Sequence, residues 1–323
     1  MNRLERDGYT VYPISVPTKG SLETYNFYVV KHLNGLSLLD AGVNNEACWT
    51  SLEKSLAEQG LSVRDMTEIL LTHHHGDHVG LVNRLTKQHD IPVYAHPDAI
   101  PRVKRDQEFL TMRVEFFEKL YREMNCGEAG ERQVEHLKES IEKNKHLALQ
   151  SPITSLIEGD TILEFEVIEL PGHAPDQIGF YDKKRKWLFG GDHLIQHISS
   201  NALVEPTATG ERNRSIVQYI DSLHRCSKLH MDTVFSGHGL IINEPIVLID
   251  KRLAGIERKS ARILELIING LHTGSEIAQT LYQAVYEKQF ALVMSEVIGH
   301  LDLLEYREMI EKKMVNGIWH YYS

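Results

Sequence analysis

The sequence of 323 residues predicts an α/β protein with a helical insertion and a small C-terminal unit. Three observations predict it. Short apolar strands alternate with amphipathic helices between Tyr9 and Phe235; strand signals are missing from about 100 to 150; and beyond about 244 the pattern becomes three helices and a hairpin. At roughly 150 residues per domain the length accommodates two domains. The boundaries expected are 1–243 for the core, with its insertion, and 244–323 for the C-terminal domain.

Taken in order, Tyr9 to Val16, Tyr25 to His32 and Leu36 to Leu39 are rich in Val, Ile, Tyr and Leu between turn residues, and read as strands of one sheet. A helix over Glu46 to Gln59 stops at Gly60. Glu68 to Leu71 is an apolar strand, a helical stretch runs on to about His89, and Pro92 to His96 returns as strand, completing a β-α-β unit. From Ile100 to Leu149 apolar residues such as Phe109, Met112, Phe116 and Leu120 recur at helical spacing. Ten basic and ten acidic residues balance there, which predicts a solvated polar face. By its place in the chain the insertion could fold over a cleft as a lid, with Phe116, Phe117 and Tyr121 toward substrate, or pack its apolar face on the sheet.

Thr161 to Leu170, Gln177 to Tyr181, Trp187 to Phe189 and Thr233 to Phe235 read as further strands, with a helix from about Arg214 to Leu229. The basic run Lys183 to Lys186 fits a solvated turn between two of them. The C-terminal part holds helices over Glu244 to Ile268, Ser275 to Tyr282 and Phe290 to Leu304. Strands Glu311 to Val315 and Ile318 to Tyr322 flank Asn316-Gly317, the pair that favours a type I′ turn. Helix-helix-helix-hairpin is the order of a winged helix.

Composition excludes several classes. With 42% hydrophobic and 25% charged residues the chain is globular, not disordered or fibrous. Apolar runs are short and the first seven residues lack a signal-peptide stretch, so a protein neither spanning a membrane nor exported is expected. Cys48, Cys126 and Cys226 form no CxxC pair, which predicts neither a disulfide framework nor a thiolate metal cage, and fits the cytoplasm. A net charge of −10 disfavours generic binding to a phosphate backbone.

The informative excess is histidine, with 18 copies. His73-x-His75-x-Asp77-His78 places four potential metal ligands within six residues, on a loop between a buried strand and a helix. Alternate residues of an extended segment face the same way, so His73 and His75 can share one ion while the following turn aims Asp77 and His78 at a second. By chance such a run would occur about 0.003 times in a chain of this composition.

This run resembles the signature of the metallo-β-lactamase superfamily, and the family's other elements follow in order: Leu39-Asp40-Ala41-Gly42 before it, then Pro171-Gly172-His173, Gly190-Gly191-Asp192-His193 and Ser236-Gly237-His238-Gly239. The resemblance covers roughly residues 10 to 243. It implies an αββα sandwich in which His73, His75 and His173 hold one metal and Asp77, His78 and His238 the other. Asp192 would then bridge the two, and Asp40 would orient a ligand from behind. His74, His96, His193 and His197 match no ligand position. The segment from Arg262 to Tyr322 is similar to the winged-helix tail of a subset of these hydrolases, as in Gly274-Ser275-Glu276-Ile277-Ala278 and His300-Leu301-Asp302-Leu303-Leu304.

The function implied is a metal-dependent hydrolase with two divalent metal ions, zinc favoured over iron or manganese, that uses a metal-bridging hydroxide on an ester, thioester or lactone. Asp77 would both ligate and steer that hydroxide, so Asp77 and Asp40 are the catalytic candidates; the leaving-group acid is not identified, with Tyr28, His193 and Tyr181 as guesses. The expected partner is a small or carrier-linked substrate. A phosphodiesterase or single-strand endoribonuclease acting on RNA is the alternative, suggested by the tail. Duplex DNA is disfavoured, because residues 251 to 323 carry nine basic and nine acidic residues. A homodimer is left open.

Overall fold

A computed structural model describes residues 3–323; Met1 and Asn2, part of the stretch read above for an export signal, lie outside the described residues. The first sheet has seven strands in chain order: β1 (Leu4–Arg6), β2 (Tyr9–Pro17), β3 (Thr24–His32), β4 (Gly35–Leu39), β5 (Glu68–Leu70), β6 (Val93–Ala95) and β7 (Ile153–Ser155). β1 to β4 form an antiparallel meander, and β4 to β7 are parallel. The parallel connections carry helices α1 (Glu46–Ala57), α2 (Gly76–Val79), α3 (Val82–Thr86), α4 (Ile100–Val103), α5 (Gln107–Glu123) and α6 (Gly127–Lys143).

The second sheet is formed by β8 (Thr161–Ile162), β9 (Phe165–Glu169), β10 (Ile178–Asp182), β11 (Trp187–Gly191) and β12 (Thr233–Ser236), with α7 (Ser215–Ser227) before β12. Only the β11–β12 pair is parallel. β9, β11 and β12 therefore run in one direction and end at the same edge. The C-terminal part is α8 (Pro245–Ile268), α9 (Gly274–Tyr282), α10 (Phe290–Tyr306) and the hairpin β13 (Glu311–Val315) and β14 (Ile318–Tyr322).

Side-chain alternation builds the layers. In β3, Phe27 and Val29 face one way, toward Trp49, Leu52 and Leu56 of α1; Tyr28 and Val30 face the other, toward Phe165, Phe180 and Phe189 of the second sheet. On that sheet's far side Ile168, Leu188 and Val234 pack against Tyr219 and Leu223 of α7 and Ile249 of α8. The order is helices, sheet, sheet, helices. Such an αββα sandwich covers both faces of both sheets, and β4, β10, β11 and β12 accordingly carry no exposed residue.

Several expectations need correction. Thr161 to Leu170 is a hairpin, not one strand, because Leu163 takes a positive φ of 57° and the chain reverses there. β1 and β7, three residues each, gave no readable alternation. Arg185 is buried, unlike a solvated turn residue: its guanidinium lies over Tyr9, 3.6 Å from the ring centroid, and pairs with Asp182. The insertion is helical as expected, but Phe117 and Tyr121 are core residues. They are buried with Phe290, Val293 and Val297 of α10 in a core shared by insertion and C-terminal helices. The hairpin turn has φ of 51° at Asn316 and 82° at Gly317, as type I′ geometry requires.

Candidate metal centre

The strand ends carry the site. Asp40 follows β4, His73 and His75 lie on the loop after β5, and Asp77 and His78 sit in α2. His173 follows β9, Asp192 follows β11 and His238 follows β12. All lie beyond the C-terminal ends of β4, β5, β9, β11 and β12, where two rigid sheets deliver side chains to one concave edge. Close backbone packing makes this work. Gly80 donates its N–H to Gly42 at 2.8 Å and Ala41 donates to His78 at 2.6 Å, so the loop after β4 docks on α2 and sets Asp40 beside His78. A Cβ at Gly80 would overlap the backbone of residues 42 to 44, and one at Gly237 would overlap the Asp192 carboxylate and the His78 ring.

The seven predicted ligands converge. His73 Nε2 and His173 Nε2 each lie 3.0 Å from His75 Nδ1. The Asp192 carboxylate spans the centre: Oδ1 is 3.4 Å from His78 Nε2, while Oδ2 is 3.1 Å from His238 Nε2 and 3.6 Å from His173 Nε2. Asp77 reaches His238 Nε2 at 3.5 Å and His78 Nε2 at 3.9 Å. Asp77 and His75 are half-buried and the other five buried. Ligands held about 2.0–2.1 Å from a tetrahedral ion stand about 3.3 Å apart, within the 3.0–3.9 Å range of these separations.

Four of the five imidazoles are aimed by their other nitrogen. His78 Nδ1 donates to Asp40 Oδ2 at 2.8 Å, and His238 Nδ1 to the Thr24 carbonyl at 2.7 Å. His173 Nδ1 meets the Asn201 carbonyl at 2.9 Å and Ser200 Oγ at 3.1 Å. Thr72 Oγ1 donates to Asp40 Oδ2 at 2.9 Å, so it accepts from His73 Nδ1 at 3.1 Å. These contacts leave the Nε2 lone pairs of the four rings pointing inward. Among the described residues, His78 Nε2, His238 Nε2 and Asp192 Oδ1 are buried with no hydrogen-bond partner. Orphaned buried atoms and converging lone pairs are costly unless a cation satisfies them, so the residues fit a divalent ion. The donors are imidazole and carboxylate, and the three cysteines are buried and free elsewhere.

The electrostatics agree. Burial, and then the neighbouring imidazoles, hold His73 and His75 well below the usual histidine range. Burial also opposes protonation of His78, but Asp192, Asp40 and Asp77 outweigh it and raise its pKa well above the ordinary value. The Asp192 carboxyl is pulled well down by His78 and His238 in spite of its burial. A field that holds a proton on a buried imidazole is a field that attracts a metal cation.

Of the residues outside the ligand set, Tyr28 and Tyr181 commit their hydroxyls to the carbonyls of Ser236 and His230, at 2.6 and 3.1 Å, which removes both as leaving-group acids. His74 points away from the centre, to buried Asp176 at 2.6 Å, and His96 and His197 contact Glu169 and the Ser21 carbonyl. His193 is buried, and burial pushes its pKa down to about 3. Sequence reasoning missed Thr72, Thr24, Ser200 and Asn201. Thr72 adjoins the ligand run and was within reach; the others act through a carbonyl or a short hydroxyl contact that no spacing announces.

This fold and site define a class, and comparison with known proteins agrees. The model of the metallo-beta-lactamase superfamily matches residues 21–238, and the chain belongs to that superfamily. A Bacillus subtilis protein named a probable metallo-hydrolase, YqjP, is 32% identical over 301 residues, covering 93% of each chain. A hydroxyacylglutathione hydrolase of Bdellovibrio bacteriovorus is 30% identical over 53% of this chain, and the match spans 47% of that enzyme. An atrochrysone carboxyl ACP thioesterase of Pseudocercospora fijiensis is 23% identical over 80% of this chain and 61% of its own. Among solved structures, a metallo-beta-lactamase family protein of Thermus thermophilus shares the fold at a TM-score of 0.79 with 23% identity, covering 97% of this chain and 98% of that one. The protein is a metal-dependent hydrolase. Among the described residues no helix is long and apolar enough to cross a membrane.

Proposed function

We propose that the chain is a dinuclear hydrolase of thioesters or related esters and lactones, with His73, His75 and His173 holding one ion, Asp77, His78 and His238 the second, and Asp192 facing both. The observation that carries this is the Asp192 carboxylate, which stands between the two sets: Oδ1 is 3.4 Å from His78 Nε2, and Oδ2 lies between His238 Nε2 at 3.1 Å and His173 Nε2 at 3.6 Å. When bound, two divalent ions, zinc in the first instance, supply a hydroxide nucleophile at neutral pH and a Lewis acid for the developing oxyanion.

The chain's own part is orientation and proton handling. Asp77 keeps its carboxylate half-open to solvent beside His78 and His238, where it can accept a proton from the attacking water and direct its lone pair. Asp40 and Thr72 fix the tautomers of His78 and His73 and so keep basic nitrogens toward the centre. A thioester substrate is supported by the names of two relatives, a hydroxyacylglutathione hydrolase and an acyl-carrier-protein thioesterase. The C-terminal helices and hairpin are taken as a winged-helix-like unit packed on the core. Three free, buried cysteines suit a cytoplasmic setting.

The test is a panel of a thioester, a homoserine lactone, a bis-aryl phosphodiester and a short RNA, assayed with zinc-, manganese- and iron-loaded protein alongside Asp192→Ala. Turnover of the thioester, with the variant down by at least about 10²-fold, is expected. Hydrolysis confined to the phosphodiester and RNA would replace the proposal with a nuclease.

A further inference from the structure

The segment that follows Asp192 has no regular secondary structure, yet its carbonyls are accounted for almost one by one, all by side chains. Ser200 Oγ donates to the carbonyl of Asp192, Tyr219 Oη to that of His193 at 2.8 Å, and Ser236 Oγ to that of Leu194 at 2.7 Å. The next three acceptors share one donor. Arg252 Nη2 meets the carbonyls of Ile195, Gln196 and Ile198 at 2.6, 3.0 and 2.7 Å. Arg252 belongs to α8, the first helix of the C-terminal part, and is 7% exposed. Its contacts run to backbone carbonyls, and among the described residues its Nε has no hydrogen-bond partner.

What those carbonyls steer is the metal centre. The segment starts at Asp192 and ends at Ser200 and Asn201. Ser200 bonds back to the Asp192 carbonyl and stands 3.1 Å from His173 Nδ1, and the Asn201 carbonyl is 2.9 Å from the same atom. Two residues proposed as ligands that come from different strands are thus tied to one loop, and the loop's curvature is set by a side chain of α8 in the outer helical layer. A cation that gathers three carbonyls fixes the turn between them more tightly than any one bond, because releasing it would leave the buried Ile195 carbonyl unpaired.

We infer that Arg252 is a positioning residue for the metal centre, through which the C-terminal part holds the 193–200 loop so that Ser200 and Asn201 meet His173 while Asp192 faces both half-sites. The inference rests on the ligand assignment proposed above. It makes the C-terminal part a component of the metal site, beyond any part it takes in packing.

The test uses the full-length chain loaded with zinc, and follows metal release to a chromogenic chelator together with thermal unfolding. Arg252→Met should release the ion of the His173 half-site about tenfold faster, leave the second release phase unchanged, and alter the visible spectrum of the cobalt-substituted protein. Arg252→Lys, which keeps a cation in place, should restore part of the effect, and serves as the test should Arg252→Met not fold. Adding Ser200→Ala to Arg252→Met should change release no further, since both act on one loop. Unchanged release kinetics with a lowered unfolding midpoint, or additive effects of the two substitutions, would overturn the inference. His173→Ala separates the two readings. If it leaves both release phases intact the ligand assignment has failed; if it abolishes one phase while Arg252→Met does not touch it, the positioning role has failed.

Discussion

Asp40 Oδ2 accepts two hydrogen bonds, one from His78 Nδ1 at 2.8 Å and one from the Thr72 hydroxyl at 2.9 Å, and through the second it also sets the tautomer of His73. One carboxylate therefore orients a ring in each of the two proposed half-sites. Asp40 reaches this position in a left-handed backbone conformation, φ 58°, a cost that the surrounding sandwich sustains.

Asp40→Asn is expected to weaken metal binding by about 10–100-fold, because an amide cannot accept from His78, from the Thr72 hydroxyl and from the Thr72 N–H at once. Metal analysis after dialysis against graded chelator measures it. Full retention of both ions would contradict the role assigned to Asp40.

Thr72→Val keeps the shape of a residue that is 1% exposed and removes only the hydroxyl. His73 Nδ1–H then loses its acceptor, so affinity at the His73, His75 and His173 half-site should fall about tenfold while the other half keeps its ion. Stepwise metal titration by calorimetry resolves the two, and equal weakening of both steps would count against a selective effect.

Glu296 predicts acid sensitivity of the C-terminal part. Burial works against its ionisation, but His300 and Lys259 outweigh burial and hold the carboxyl down, from 4.5 to about 2. A folded-state pKa below the unfolded one stabilises above the unfolded value, so the contribution is complete above pH 4.5 and is lost as pH falls toward 2. The difference corresponds to about 3 kcal/mol. Urea unfolding of wild type and Glu296→Gln should differ most at neutral pH and converge below pH 3 or so; a gap that stays constant across this range would exclude the assignment.

Phe117→Ala distinguishes a packing residue from a lid. The ring is 5% exposed, with the rings of Phe116 and Tyr121 at 5.1 and 5.4 Å. Truncation should cost about 3–5 kcal/mol of stability and leave KM unchanged in the protein that remains folded. A raised KM with normal stability would return the insertion to the substrate side.

Much of the fold was legible. β2, β3, β5 and the helices from α7 to α10 lie within a few residues of where periodicity and turn residues set them, and the Asn316-Gly317 turn joins the two strands expected of it. The His73 to His78 run was legible because its chemistry is local. The insertion was not. Its apolar stripe announced a helix with a buried face but carried nothing to say that the face would meet α10, which lies some 170 residues further along the chain, and not the cleft.

The sequence by itself determined residue chemistry and local period: which segments are strand or helix, and that imidazole and carboxylate donors are present in a metal-binding pattern. Tertiary structure alone decided which nitrogen of each ring faces inward, that one Asp192 carboxylate lies against His78, His173 and His238, and that Arg252 reaches back to the loop behind it. The reason is physical. Periodicity is a property of a few neighbouring residues, whereas a hydrogen-bond partner for a buried ring is supplied by whichever distant backbone the packing of two sheets and their helices brings within 3 Å or so of it.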